Sequence, residues 1–108
     1  IQGDGSCVRA FLHSKDTSRA FQTILEKGVI GEIYNIGCDE GMEFSVKEVA
    51  DILIKKIIGI DKENNSWWIR YIEDRPFNDK RYYISNQKLK DLGWNVTIKL
   101  EDGLNDLV

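Results

Sequence analysis

The densest run of chemically capable side chains is Glu73-Asp74-Arg75-Pro76-Phe77-Asn78-Asp79-Lys80-Arg81-Tyr82-Tyr83, which crowds acids, cations, an amide and aromatics around the only proline. Such a segment suits a loop that grips a polar, anionic ligand. The guanidinium of Arg75 would present a planar fork of donors to a phosphate, which a lysine ammonium does not offer. Asn78 would donate to a base or sugar oxygen, and Pro76 would hold the loop in one shape. The same residues would equally suit a salt-bridged surface loop, and their spacing alone does not separate the two readings.

A second candidate is the run Gly3-Asp4-Gly5-Ser6-Cys7-Val8-Arg9. Its glycines would let backbone approach a ligand, with Arg9 as a further phosphate partner; otherwise it is a turn with a charge nearby. Asn35 stands at the end of an apolar run and would point its amide into a cleft, or else satisfy a neighbouring loop. Asp16 reads as a helix cap. His13, the only histidine, has no acid partner identifiable in the sequence and reads as packing or surface rather than a general base.

What is missing narrows the chemistry further. No G-x-G-x-x-G fingerprint occurs, so no dinucleotide site is encoded in this segment. Tyr34, Tyr71, Tyr82 and Tyr83 are followed four residues on by Cys38, Arg75, Asn86 and Gln87, so none has the lysine that would make it a tyrosine base with its helper. No G-x-S-x-G nucleophile elbow is present. No catalytic residue is assigned. The segment is expected to bind and orient rather than to transform.

Elements must hold these residues in place. Residues 8–12 read as a short extended segment after the Gly3–Ser6 turn. Asp16 would then open a helix with Ala20, Phe21, Ile24 and Leu25 on its apolar face, closed by Gly28 in a left-handed conformation. Residues 33–36 form a β-branched and aromatic run that reads as a strand, followed by a loop over 37–44. Ser45 and Glu48 make an S-x-x-E capping box that starts a helix with Val46, Val49, Ala50, Leu53 and Ile57 on one face, stopped by Gly59. Residues 61–66 read as a polar loop and 68–72 as a second strand, after which Pro76 forces residues 75–80 into a loop. Ser85 or Asn86 would begin a short helix with Leu89 and Leu92 inward, closed by Gly93. A last helix would begin near Leu100 with Leu104 and Leu107 inward. Strands alternating with about four helices predict a small α/β arrangement with short parallel strands, whose ligands would sit beyond the strand ends at 35–37 and 73–78.

At 108 residues the chain is one domain, 1–108, with 42% hydrophobic and 31% charged residues, which fits an ordered globular protein. A net charge of −3 and the absence of a basic stripe argue against nucleic acid as a partner. No apolar run is long enough to span a bilayer, because Lys55 and Lys56 interrupt the most apolar stretch; no membrane association is expected. Cys7 and Cys38 lie far apart with no second Cys or His at metal-ligand spacing, so no metal site is expected and two reduced thiols in a cytoplasmic protein are the plain reading. The chain opens on Ile1-Gln2-Gly3 without methionine and closes inside an amphipathic pattern, which raises the expectation of a piece of a longer protein.

Taken in order, Gly3-Asp4-Gly5-Ser6 with Arg9, Asp16 with Ala20-Phe21, Gly31-Glu32-Ile33-Tyr34-Asn35-Ile36-Gly37, the R-P-x-N-D-x-R-Y run from Arg75 to Tyr82, and Leu92-Gly93-Trp94 resemble the C-terminal third of the nucleotide-sugar 4,6-dehydratases. These are extended members of the short-chain dehydrogenase/reductase family. The resemblance covers nearly the whole chain. Its first and third stretches would fit other sugar-nucleotide epimerases and decarboxylases too, and the R-P-x-N-D-x-R-Y run favours a dehydratase. It implies a substrate-binding subdomain completing a Rossmann-type enzyme whose N-terminal half is absent here. That enzyme would convert dTDP-glucose or UDP-glucose to the 4-keto-6-deoxy sugar with loss of water, as a lyase. NAD would be bound by the N-terminal domain, which would also be this segment's packing partner, and the family commonly dimerises. The resemblance further implies that Arg9 and Arg75 hold the diphosphate, that Asn35 and Asn78 orient the nucleotide, and that Gln2 lies against the base. Phe77-Asn78 departs from the G-H pair of bacterial dTDP-sugar members and looks more like the UDP-glucose-using or eukaryotic branch.

Overall fold

The best-specified element is the helix that Ser45 opens. In a computed structural model of the chain, which describes residues 1–59 and 65–108, helix α2 spans Val46–Ile58 and carries the reciprocal box: the Ser45 hydroxyl accepts from the Glu48 N–H at 3.1 Å, and the Glu48 carboxylate accepts from the Ser45 N–H at 2.6 Å. The first N–H groups of a helix have no partner within it. Here the Val46 N–H donates to the Cys7 carbonyl and the Lys47 N–H to that of Gly5, each at 3.0 Å, so the N-terminal turn is satisfied by the segment that precedes Arg9. Gly59 ends α2, as expected, and does so in the left-handed conformation.

That junction also explains the sheet. Strand β1, Val8–Ala10, pairs with β2, Glu43–Ser45, with Val8 opposite Ser45, Arg9 opposite Phe44 and Ala10 opposite Glu43. The pair is antiparallel, which corrects the expected parallel strands. Residues 43 and 44 read as loop and Ser45 as a helix cap in the sequence, because three residues show no alternation, and their pairing follows from the chain already meeting residues 5–7 at the start of α2. Parallel contacts survive as single bridges, Gln2 with Ile72 and Val8 with Arg81. Residues 33–36 form no strand among the described residues, and Ile33 and Asn35 are exposed. Residues 68–72 are not a strand either: a 3-10 helix, Asn65–Trp68, precedes the bridge at Ile72. The polar loop expected over 61–66 falls largely on residues 60–64, which lie outside those described.

Helix α1 spans Ser14–Lys27. Its cap is His13, whose Nδ1 accepts from the Lys15 N–H at 3.1 Å, and not Asp16. Asp16 lies in the first turn and is fully buried. Gly28 ends α1 with φ −67, so its expected left-handed turn does not form; a Cβ there would lie 2.4 Å from the Ile24 carbonyl oxygen, which is the stronger reason for glycine. Helix α3, Gln87–Lys90, and helix α4, Leu100–Asn105, complete the four α-helices among the described residues. Ala20, Leu89 and Trp94 form the core, with Leu12, Ile24, Ile36, Leu92 and Val96 packed around them. Four residues expected on apolar faces are exposed instead: Phe21 and Leu25 on α1, Ile57 on α2, and Leu107 beyond α4. No helix among the described residues is long and apolar enough to cross a membrane.

Candidate functional site

The loop after Ile72 is fastened at both ends to the N-terminal segment. At its start the Gly3 N–H donates to the Ile72 carbonyl at 3.0 Å and the Ile72 N–H to the Ile1 carbonyl at 2.8 Å. At its end the Val8 N–H donates to the Lys80 carbonyl at 2.7 Å, and the Arg81 guanidinium binds both Glu43 carboxylate oxygens at 2.7 Å. A two-point guanidinium–carboxylate contact fixes direction as well as distance. It also holds the Glu43 carboxyl below its ordinary pKa. Residues 80–81 therefore lie beside β1 on the edge opposite β2.

Inside that frame the polar groups converge. Asp74 Oδ1 accepts from the Arg75 N–H and from Asn78 Nδ2, both at 2.9 Å, which curls the loop around its proline. Asn78 Nδ2 also lies 3.2 Å from Cys7 Sγ, and Asn78 Oδ1 accepts from Arg9 Nη2 at 3.3 Å. Arg9 Nη1 donates to its neighbour's carbonyl at Val8, 2.8 Å away. The guanidinium lies 4.5 Å from the centroid of the Tyr82 ring, over its face. The Tyr82 hydroxyl in turn donates to the Asp79 carboxylate, a bond that raises the pKa of the phenol. Gly3 must be glycine in this arrangement: its φ is +64, and a Cβ would sit 2.7 Å from Asp74 Oδ2.

Arg9 and Tyr82 border a cavity of about 390 Å³ whose other walls include Ile36, Gly37, Cys38 and Ile84. Burial, with the carboxylates of Asp39 and Asp16, pushes the Cys38 thiol up to about 11, so this wall offers no thiolate nucleophile. Among the described residues, no group of three or more His, Cys, Asp or Glu side chains could hold a metal ion.

The sequence candidates divide accordingly. Arg9 and Asn78 touch directly. Arg75 is on the same loop; its side chain is exposed, and its described hydrogen bond comes from its backbone. Asn35 is exposed, next in the chain to Ile36 on the cavity wall. Gln2 is exposed at the bridge to Ile72, at the far end of the loop. Tyr82, Asp79, Asp74 and Cys7 are not singled out by the sequence, although the first three lie in the run around Pro76 and Cys7 lies in the glycine-rich run. No periodicity or spacing announces a contact between Arg9 and a residue so distant in the chain.

The glycine-rich turn is not built to hold a dinucleotide. A dinucleotide's diphosphate needs free backbone N–H groups at the start of a helix. Here the turn leads into β1, the Ser6 N–H is taken by the Asp4 carboxylate at 2.9 Å, and the Asp74 carboxylate packs on Gly3. These residues do not fit NAD.

Comparison with known proteins follows the same division. The family model described as GDP-mannose 4,6 dehydratase matches residues 1–107. A trifunctional UDP-glucose 4,6-dehydratase/UDP-4-keto-6-deoxy-D-glucose 3,5-epimerase/UDP-4-keto-L-rhamnose-reductase of Arabidopsis thaliana is 45% identical over 104 residues, which are 96% of this chain and 15% of that protein. The dTDP-D-glucose 4,6-dehydratase of Mus musculus is 41% identical over 113 residues, covering 100% of this chain and 30% of its own length. Among solved structures, DesIV, a dTDP-glucose 4,6-dehydratase from Streptomyces venezuelae with NAD bound, superposes with a TM-score of 0.83 at 33% identity, covering 98% of this chain and 31% of that one. The chain thus spans between 15% and 30% of the length of these two curated relatives.

Proposed function

We propose, on the premise that this chain belongs to the GDP-mannose 4,6 dehydratase family, that it is the nucleotide-sugar-binding part of a 4,6-dehydratase acting on UDP-glucose or dTDP-glucose. The product would be the 4-keto-6-deoxy sugar nucleotide, formed with loss of water. The observation that carries this reading is the Arg9 guanidinium, held by Asn78 and by the face of Tyr82 on the wall of a cavity. A cation so placed suits a diphosphate.

In this reading Arg9 and Arg75 bind the two phosphates. Asn78, already tied to Asp74, and Asn35, beside the cavity wall, orient the nucleotide. Gln2 lies against the base. NAD would supply the hydride chemistry from residues outside this segment, and the segment alone would be inactive. Two free thiols, Cys7 and Cys38, agree with a cytoplasmic setting.

The test is calorimetric titration of the full-length protein with UDP and with dTDP, comparing wild type, Arg9→Ala and Arg75→Ala. A charge-assisted hydrogen bond contributes about 1.5–3 kcal/mol, so each variant should bind the preferred nucleotide about tenfold or more weakly. Unchanged affinity in both variants would overturn the assignment.

A further inference from the structure

We infer that Tyr82 is a positioning residue for Arg9, holding the guanidinium flat so that its free edge meets the diphosphate of the nucleotide sugar. This rests on the reading of Arg9 given above. An arginine side chain has many rotamers, and a ligand that must freeze them binds more weakly than one that meets a side chain already ordered. In this structure the guanidinium is held on a face and at two corners. Tyr82 covers the face at 4.5 Å, Val8 takes Nη1 at 2.8 Å, and Asn78 takes Nη2 at 3.3 Å. Those two bonds leave other N–H donors of the group available to a ligand.

The ring is itself held. The Tyr82 hydroxyl donates to Asp79, three residues earlier in the same loop, and Arg81, between them, is fixed by Glu43. Asp79 thus adds a restraint on the ring, while the stacking that sets the plane of the guanidinium belongs to the ring itself. Tyr82 and Arg9 both line the cavity, so the stacked pair borders open space rather than being buried in the core. Tyr82 is 55% exposed, which leaves the fold little dependent on it. A purely structural role would show in stability; a positioning role shows in affinity.

The experiment measures UDP and dTDP binding by calorimetry on the full-length protein for Tyr82→Leu, Tyr82→Phe, Arg9→Ala and the double variant Arg9→Ala/Tyr82→Leu, with thermal unfolding of each. Tyr82→Leu should weaken the preferred nucleotide about fivefold, as loss of a partly exposed cation–aromatic contact would. Tyr82→Phe, which keeps the ring, should recover most of that loss. In the Arg9→Ala background, Tyr82→Leu should have no further effect. If Arg9→Ala weakens binding but Tyr82→Leu does not, or if the Tyr82→Leu loss persists undiminished without Arg9, the positioning role is overturned and the diphosphate site stands. If Arg9→Ala itself leaves affinity unchanged, the reading of Arg9 falls and this inference with it. Should Tyr82→Leu lower the unfolding temperature, the Phe variant decides: affinity as low as that of the Leu variant would overturn the role of the ring.

Discussion

The Asp16 carboxylate reaches the far end of the chain to hold Thr97, accepting from its backbone N–H at 3.0 Å and from its hydroxyl at 2.7 Å. The same carboxylate takes the Ile98 N–H at 2.9 Å and pairs with Arg19, while the Asp16 carbonyl accepts from the Trp94 indole N–H at 3.0 Å. One first-turn residue of α1 thereby ties the helix to the segment between α3 and α4. Asp16→Ala would strip the acceptor from two backbone N–H groups and the Arg19 guanidinium. The expected cost is on the order of 2–4 kcal/mol, read as a fall in the urea midpoint. A loss below about 0.5 kcal/mol would show that water replaces the carboxylate freely.

The same residue predicts an acid sensitivity. Burial works to raise the Asp16 pKa, but hydrogen bonds from Arg19, Thr97 and the Ile98 N–H outweigh it and hold the carboxyl well below its ordinary 3.8. The folded pKa is depressed, so the unfolded chain takes up the proton first. The stabilisation is present above about pH 4 and is lost as the pH falls further, by up to about 1.4 kcal/mol per pH unit. Urea unfolding from pH 6 down to pH 3 should show that slope in the wild type and a shallower one in Asp16→Asn. Equal slopes would assign the acid sensitivity to other carboxylates.

At the start of α2, Ser45→Ala removes the acceptor of the Glu48 N–H and half of the capping box. The expected destabilisation is about 1 kcal/mol. Ser45→Asp, which restores a cap, should recover most of it. Thermal unfolding distinguishes the two, and an Asp variant no better than Ala would mean that the box is not what stabilises this junction.

Gly3→Ala should disturb the candidate site through a residue that binds nothing. The left-handed conformation costs an alanine roughly 1–2 kcal/mol, and its Cβ would press on Asp74, the acceptor that orients Asn78 and the Arg75 N–H. Nucleotide affinity should fall together with stability. Restored affinity in Gly3→Ala/Asp74→Gly, where the obstructing side chain is gone, would show that Asn78 does not need Asp74.

Several features of this protein were legible in the order of its residues alone. The capping box from Ser45 to Glu48 and the terminal Gly59 bounded α2, Pro76 placed a loop over 75–80, and the R-P-x-N-D-x-R-Y run pointed to the family that residues 1–107 match. These signals work because caps, prolines and motif residues act within a few positions of themselves. Tertiary structure alone decided that β1 pairs antiparallel with β2, that Asp16 clamps Thr97 instead of capping its helix, and that Arg9 lies on Tyr82. Strands of three residues have no period to read. A polar side chain, moreover, takes whichever distant partner the packed chain brings within reach, and the sequence around it carries no mark of that partner.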